Sequence, residues 1–227
     1  MKRNGQNEKS RAVCSVCIFL GICLVFVLLQ SYSCARLGDN EVLSYITYMI
    51  YLFSPMIGCI VARLITGEGF QDGILWPKFT GNGKTYLLAI LIPTVMGLLG
   101  GILSALLLGE GLSVKVEGGL RMGILMLLLL FGQCYYTAFI TAGEELGWRV
   151  LLYDKLEILF GTNGALVMGG ILWGLWHFPP LYYAGINFGK DYPGFPFVGI
   201  LLMCIATTFI GAPLWLVRKM SGSVIPA

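Results

Sequence analysis

The stretch Glu144-Glu145-Leu146-Gly147-Trp148-Arg149 places three ionisable residues within six positions, directly after a long apolar run. A second stretch, Trp173-Gly174-Leu175-Trp176-His177, ends another apolar run and contains the single histidine of the chain. Ionisable side chains are costly in hydrocarbon, so an ionisable residue within a membrane segment is by default a candidate functional residue. We therefore interpret the rest of the chain as a scaffold that holds these two stretches side by side.

The composition is that of a membrane protein. The 227 residues are 57% hydrophobic and 12% charged, and the mean hydropathy is +0.80. An average soluble domain has about 25% charged residues, so almost nothing of this chain remains to form a soluble domain. The net charge of +3 is small. Membrane topology explains it better than binding to nucleic acid, which we do not expect.

Six apolar segments have approximately the length of a transmembrane helix, which needs about 20 residues. They predict an all-α fold, a polytopic bundle of about six spans. The approximate bounds are 12–30, 43–64, 86–108, 120–142, 163–178 and 197–217. Pro55 in the second segment predicts a kink. We divide the chain into an N-terminal three-span region, residues 1–119, and a C-terminal core, residues 120–227.

The distribution of basic residues predicts the orientation. With the N-terminus in the cytoplasm, 11 of the 15 lysines and arginines lie on the inner side and four on the outer side. Cytoplasmic segments of membrane proteins are enriched in lysine and arginine, so we expect a multi-pass protein of the cell membrane with a cytoplasmic N-terminus. Membrane lipid is then its immediate partner, and the glutamate motif lies at the cytoplasmic end of the fourth span.

The glutamate motif has the spacing of a helical ion pair. Residues four apart share a helix face, so Glu145 and Arg149 can pair and lower the cost of charge near lipid. Glu144 lies about 100° around the helix and lacks that partner. Burial in an apolar place disfavours the charged form of a carboxyl group, which makes Glu144 a candidate general base near neutral pH. The alternative is that both glutamates simply extend to the cytoplasmic water.

His177 ends the fifth span, and a histidine alone on an apolar helix is often a structural residue. Its combination with the unpaired Glu144 favours chemistry. If the two helices are neighbours, the two side chains can hold one water between them, and that water could attack a carbonyl, with or without a metal. A catalytic zinc usually has three protein ligands. Beyond Glu144, Glu145 and His177, the sequence offers no convincing ligand.

Glu144-Glu145-x-x-x-Arg149, followed about 30 residues later by Trp173-x-x-x-His177, resembles the motifs of the CPBP family of intramembrane proteases. That family includes type II CAAX prenyl endopeptidases, bacteriocin-processing enzymes and lysostaphin-resistance protein A-like proteins. The resemblance covers about residues 120–227 and includes the context Gly174-Leu175-Trp176-His177-Phe178-Pro179. The family usually has phenylalanine where this chain has Trp173, so the match there is only aromatic.

The resemblance implies an intramembrane endopeptidase that hydrolyses a membrane-associated peptide, such as a lipidated CAAX-type peptide or a bacteriocin leader. It implies that Glu144 is the general base, that His177 is its partner, and that Glu145 and Arg149 shape the site. Two mechanisms have been argued for the family. One is a metalloprotease, for which Zn2+ would be held by Glu144 and His177, and the other is a metal-free glutamate protease. The sequence leaves both open.

The family also has a third motif, His-x-x-x-Asn, on a helix that begins just after a Ser-x-x-Pro-Ala run. This chain ends at Ser223-Val224-Ile225-Pro226-Ala227, so we expect a truncated fragment or a degenerate member. Hydrolysis by the chain as it stands is then doubtful, because an oxyanion donor commonly contributes a factor of roughly 10²–10³ in rate.

Two other functions are compatible with the sequence. One is a non-catalytic membrane protein on the same scaffold, such as a bacteriocin self-immunity factor. The other is a small transporter that uses Glu144, Glu145 and Arg149 as a relay, although spans 4–6 show no inverted repeat of spans 1–3. The substrate-binding residues are not assigned. Five side chains either line a pocket or, as we favour, pack against lipid and neighbouring helices: Met122, Met126, Tyr135, Tyr136 and Phe139.

Overall fold

A computed structural model of the protein describes residues 2–36, 40–69, 74–108, 125 and 140–226. Within these ranges the chain forms helices and no strands. The helices are α1 (Lys2–Arg36), α2 (Glu41–Leu52), α3 (Ser54–Thr66), α4 (Gly83–Leu108), α5 (Tyr153–Trp176), α6 (Phe178–Ala184) and α7 (Phe197–Ser221). Residues 140–147 are also helical, and a π-helical segment, Trp148–Leu152, joins them to α5. The predicted all-α membrane bundle is confirmed.

The described residues contain most of the predicted spans. Four helical stretches are long and apolar enough to cross a membrane: Gln6–Arg36, Gly83–Leu107, Ile140–Ala184 and Phe197–Ser221. The bent pair Val42–Leu52 and Ser54–Thr66 passes the same test together. These stretches contain five of the six predicted segments. The predicted fourth span, 120–142, lies almost entirely outside the described residues, as do the five side chains named there as possible pocket residues.

The kink predicted at Pro55 is confirmed. The axes of α2 and α3 differ by 44°, and Pro55 is the second residue of α3. A proline is tolerated in the first turn because the N–H that it lacks would have no partner within the helix. The N–H of Phe53 closes the end of α2 by donating to the carbonyls of Met49 and Tyr51. The bend therefore arises where one helix ends and the next begins.

A second break lies at Gly161, within α5. Its φ of 72° and ψ of 176° belong to a region that is open almost only to glycine. The short helical stretch 153–160 is thereby separated from the apolar stretch that ends at Trp176. This break agrees with the predicted start of the fifth span near residue 163. After His177 the chain continues directly into the short helix α6, with Pro179 and Pro180 in its first turn.

An aromatic core joins the N-terminal helices to the C-terminal ones. The ring of Phe19 on α1 meets Trp148 edge-on, with centroids 5.2 Å apart. Trp148 in turn packs against Trp176 at 5.9 Å, and Trp176 stacks on Tyr51 at 4.4 Å. Such aromatic pairs stabilise beyond the area that they bury. The core therefore holds α5, which ends directly before His177, against α1 and α2.

The other side of α5 packs closely on α7 through glycines. A Cβ atom on Gly174 would lie 2.8 Å from the backbone nitrogen of Cys204, so only glycine allows this approach. One turn earlier, the Thr207 hydroxyl donates to the Gly170 carbonyl at 2.8 Å. Small residues and interhelical hydrogen bonds of this kind are typical of packing between membrane helices.

Candidate active site

Glu144 and Glu145 lie inside the protein. Glu144 is 8% exposed and Glu145 is 7% exposed. The alternative that both glutamates extend to water is therefore wrong. The π-helical segment that follows them is fixed from α3, because Nη2 of Arg63 donates to the Val150 carbonyl at 3.1 Å. π-Helical turns are rare and often occur at functional sites.

The predicted pair of Glu145 and Arg149 is confirmed. Nε of Arg149 lies 3.1 Å from Oε2 of Glu145, and Arg149 is completely buried. The guanidinium carbon also lies 4.1 Å from the ring centroid of Trp173 and 5.0 Å from that of Tyr153. A desolvated cation gains more from aromatic faces than an exposed one. The carboxylate and the two rings together stabilise the buried positive charge.

Glu144 is not part of that ion pair. Its Oε2 accepts a hydrogen bond from the indole Nε1 of Trp173 at 3.1 Å, and the bond is buried. None of the ion pairs among the described residues includes Glu144. A carboxylate can accept about four hydrogen bonds, so one indole donor leaves it able to take a proton.

His177 is half-buried, and its tautomer follows from one contact. Nδ1 lies 2.8 Å from the backbone carbonyl oxygen of Trp173. A carbonyl oxygen only accepts, so Nδ1 carries the hydrogen and donates it. In the neutral imidazole Nε2 is then the nitrogen with a free lone pair. This nitrogen can accept a hydrogen bond from water or hold a proton.

Trp173 is the residue that the predicted site residues have in common. Its indole N–H binds Glu144, its carbonyl binds His177, and its ring lies beneath Arg149. The two rings of Trp173 and His177 have centroids 5.8 Å apart. Within the described part of the chain, no direct hydrogen bond joins the Glu144 carboxylate to the His177 imidazole. A water molecule between them stays a prediction.

The described residues do not fit a three-ligand zinc centre. In the ranges that the structure covers, no three histidine, cysteine, aspartate or glutamate side chains are grouped so that they could hold a metal ion. Glu145 is paired with Arg149, which leaves Glu144 and His177 as two candidate ligands. A catalytic zinc usually has three protein ligands, so no step of the chemistry is assigned to a metal.

The contribution of Trp173 was not predicted from the sequence. There the residue counted only as an aromatic match, whereas its side chain binds the candidate general base. A usable signal was present, because a buried tryptophan normally needs a hydrogen-bond partner for its N–H. The second missed contact is the support of the π-helical segment by Arg63, for which the sequence contains no comparable signal.

Comparisons with known proteins find one matching family and one curated relative. Residues 125–227 match the family described as type II CAAX prenyl endopeptidase Rce1-like. CAAX prenyl protease 2 of Methanococcus maripaludis is 31% identical over 101 residues, which are 44% of this chain. The matched part spans only 36% of the length of that curated relative. No solved structure matches the chain.

Proposed function

We propose that the protein is an intramembrane endopeptidase, on the premise that residues 125–227 match the family of type II CAAX prenyl endopeptidases described as Rce1-like. Its substrate is a membrane-associated peptide, either a lipidated CAAX-type peptide or a peptide resembling a bacteriocin leader. Glu144 is the general base and His177 is its partner. Glu145 and Arg149 shape the site without taking part in proton transfer.

One observation carries this proposal: Glu144 and His177 are both hydrogen-bonded to the same residue. Trp173 binds the first through its indole and the second through its carbonyl oxygen. A carboxylate without a cationic partner and an imidazole with a free Nε2 are the two groups that hydrolysis by activated water needs. A transporter relay is less well supported, because Arg149 is completely buried and already paired with Glu145.

The proposed reaction uses water as its only co-reactant. The water gives one proton to the Glu144 carboxylate, while Nε2 of His177 accepts a hydrogen bond from its other hydrogen. The water oxygen forms a bond to the carbonyl carbon of the scissile peptide. The bond between that carbon and the peptide nitrogen then breaks, and the proton on Glu144 passes to the leaving nitrogen. Glu144 is thereby a carboxylate again at the end of the cycle.

The test is cleavage of an internally quenched peptide by the purified full chain in liposomes. The probe is a farnesylated peptide ending in a CAAX sequence, and the same peptide without the lipid is measured beside it. Relative to the unchanged protein, we expect cleavage to fall about 10²-fold or more in Glu144→Gln and in His177→Ala, because general acid–base catalysis contributes about 10²–10⁴-fold. Glu157→Gln, which alters an exposed carboxylate, is the control.

The outcome also separates the competing functions. Cleavage that survives both Glu144→Gln and His177→Ala contradicts the proposed mechanism. A non-catalytic immunity factor is indicated by a different pair of results. The folded, unchanged protein would cleave neither peptide, and both Glu144→Gln and His177→Ala would still protect cells against a bacteriocin.

A further inference from the structure

We propose that Trp173 is a positioning residue for Glu144, and that its indole N–H fixes the carboxylate in the orientation used for water activation. This inference rests on the proposed function. It concerns the indole side chain of Trp173, which binds Glu144. The backbone carbonyl of the same residue binds His177 instead. The two contributions of Trp173 can therefore be separated by substitution.

The hydrogen bond between Trp173 and Glu144 is closed off from solvent. The residues are 9% and 8% exposed, and the distance from Nε1 to Oε2 is 3.1 Å. Because bulk water has little access, it cannot readily replace the indole as a donor. Hydrogen bonds to an ionised carboxylate are roughly twice as strong as those between neutral groups. The indole is therefore able to set the orientation of the carboxylate.

The indole is itself held from a second side. The guanidinium of Arg149 lies 4.1 Å from the ring centroid of Trp173, and Arg149 is held in turn by Glu145. A ring fixed between a cation and a carboxylate has little freedom to turn about its side-chain bonds. The ion pair of Glu145 and Arg149 thus supports the orientation of Glu144 indirectly, by holding the ring of Trp173.

Trp176 provides a matched comparison on the same helix. Its indole Nε1 donates to the Ser54 hydroxyl, also at 3.1 Å and also buried. Trp176 belongs to the aromatic core and has no contact with Glu144 among the described hydrogen bonds and ring contacts. Replacing either tryptophan by phenylalanine removes one buried indole N–H and keeps an aromatic ring. Both indole rings also contact the imidazole of His177, with a centroid distance of 5.8 Å for Trp173 and 5.0 Å for Trp176. Because phenylalanine keeps a ring at either position, the two substitutions differ mainly in which oxygen loses its donor.

The first test compares the kinetics of Trp173→Phe and Trp176→Phe with the unchanged chain. We expect Trp173→Phe to lower kcat about 10- to 100-fold and to leave KM unchanged, because a hydrogen bond to a charged group contributes about 1.5–3 kcal/mol, and 1.36 kcal/mol is tenfold in rate. We expect Trp176→Phe to lower the melting temperature and to leave kcat of the folded protein unchanged. Equal changes of kcat in both variants, or a change confined to KM, would overturn the inference.

The second test does not depend on turnover. The chain has five tryptophans, so an 15N-labelled sample in micelles gives five indole N–H resonances. The resonance absent from Trp173→Phe identifies Trp173. It is expected to shift in Glu144→Gln, where the acceptor loses its charge, and not in Glu157→Gln. An unshifted resonance in Glu144→Gln would show that the indole does not bind this carboxylate, which overturns the inference.

Different results would contradict the proposed mechanism and the proposed contribution of Trp173. If Glu144→Gln abolishes cleavage and Trp173→Phe leaves kcat unchanged, only the contribution of Trp173 is wrong. If Glu144→Gln itself keeps full activity, Glu144 is not the general base and the proposed mechanism is wrong, and the resonance shift alone then decides whether the hydrogen bond exists.

Discussion

Gly147 lies directly against the carbonyl group of Pro55, where the helix that carries the glutamates crosses α3. A Cβ atom at position 147 would lie 2.6 Å from the carbonyl carbon and from the carbonyl oxygen of Pro55. One turn earlier, a Cβ atom on Gly143 would lie 2.7 Å from the ring of Phe53. The two glycines thus let the glutamate motif pack on the bend between α2 and α3 without a gap.

We expect Gly147→Ala to destabilise the protein and to reduce its activity. The added methyl group meets backbone atoms, which cannot rotate away, and overpacking of this kind typically costs about 1–3 kcal/mol. The helix must shift from α3, which moves Glu144 relative to α5, and small misplacements of a reacting group are costly in rate. Thermal unfolding in detergent micelles measures the first effect, and peptide cleavage in liposomes measures the second.

Gly97→Ala is the matched control for that substitution. Gly97 also lies within a membrane helix, α4, but a Cβ atom there would have no atom of the described residues within 4 Å. We expect Gly97→Ala to keep the stability of the unchanged chain or to raise it by up to about 1 kcal/mol, because alanine is the better helix former. If Gly147→Ala and Gly97→Ala lowered the melting temperature equally, the loss would come from replacing any helical glycine and not from the contact with Pro55.

The ion pair of Glu145 and Arg149 predicts a large loss of stability when one partner is removed. Arg149 is fully buried and lies 3.1 Å from Glu145. In Arg149→Gln the carboxylate of Glu145 stays buried without its cation, and such a change costs about 3–5 kcal/mol. Arg149→Lys is not expected to restore the loss, because an ammonium lacks the planar fork that stacks on the rings of Trp173 and Tyr153. Chemical denaturation in micelles measures both.

An exposed pair on the same chain gives the comparison. Lys219 and Glu157 lie 2.6 Å apart, with side chains that are 39% and 30% exposed. Ion pairs at such positions contribute about 0–1 kcal/mol. Glu157→Gln should therefore leave the unfolding transition almost unchanged. A loss in Glu157→Gln as large as that in Arg149→Gln would contradict the dependence on burial.

The sequence was sufficient wherever the deciding interaction is local. Apolar runs predicted the membrane helices because the backbone polar groups of a span must form hydrogen bonds within the same segment. Each helix therefore corresponds to one continuous apolar stretch. The kink at Pro55 follows from the missing N–H of proline, and the pair of Glu145 and Arg149 follows from the helical repeat. In each case the residues concerned lie within one turn of each other or within one segment.

The candidate site could be predicted only in part, because its geometry depends on contacts between distant segments. Glu144 and Trp173 are 29 positions apart, and no periodicity predicts that one binds the other. Burial of both glutamates depends likewise on how closely Gly147 approaches Pro55, which local propensity does not determine. The sequence therefore named Glu144 and His177 as partners, but not the residue that lies between them.

The donor set predicts a weak response to metal chelation. Glu144 and His177 are two candidate ligands where a catalytic zinc takes three. We expect the purified chain to keep its peptidase activity in EDTA and to contain well below one zinc per chain by mass spectrometry. If zinc is present in equal amounts to protein and is lost in both Glu144→Gln and His177→Ala, further ligands must complete the site, and the metal-free mechanism is wrong.

The asymmetry of basic residues predicts the orientation of the chain in the membrane. The first helix begins with a basic stretch, of which Lys9 and Arg11 are exposed, and positive segments stay on the cytoplasmic side. A protease-cleavable tag at the N-terminus should therefore be cut in inverted vesicles and protected in right-side-out vesicles. A tag inserted at Gly189, in the loop between α6 and α7, should show the opposite pattern, because the fifth span and α7 flank that loop. Cleavage of the N-terminal tag only in right-side-out vesicles would contradict the orientation and would place the glutamate motif at the outer face.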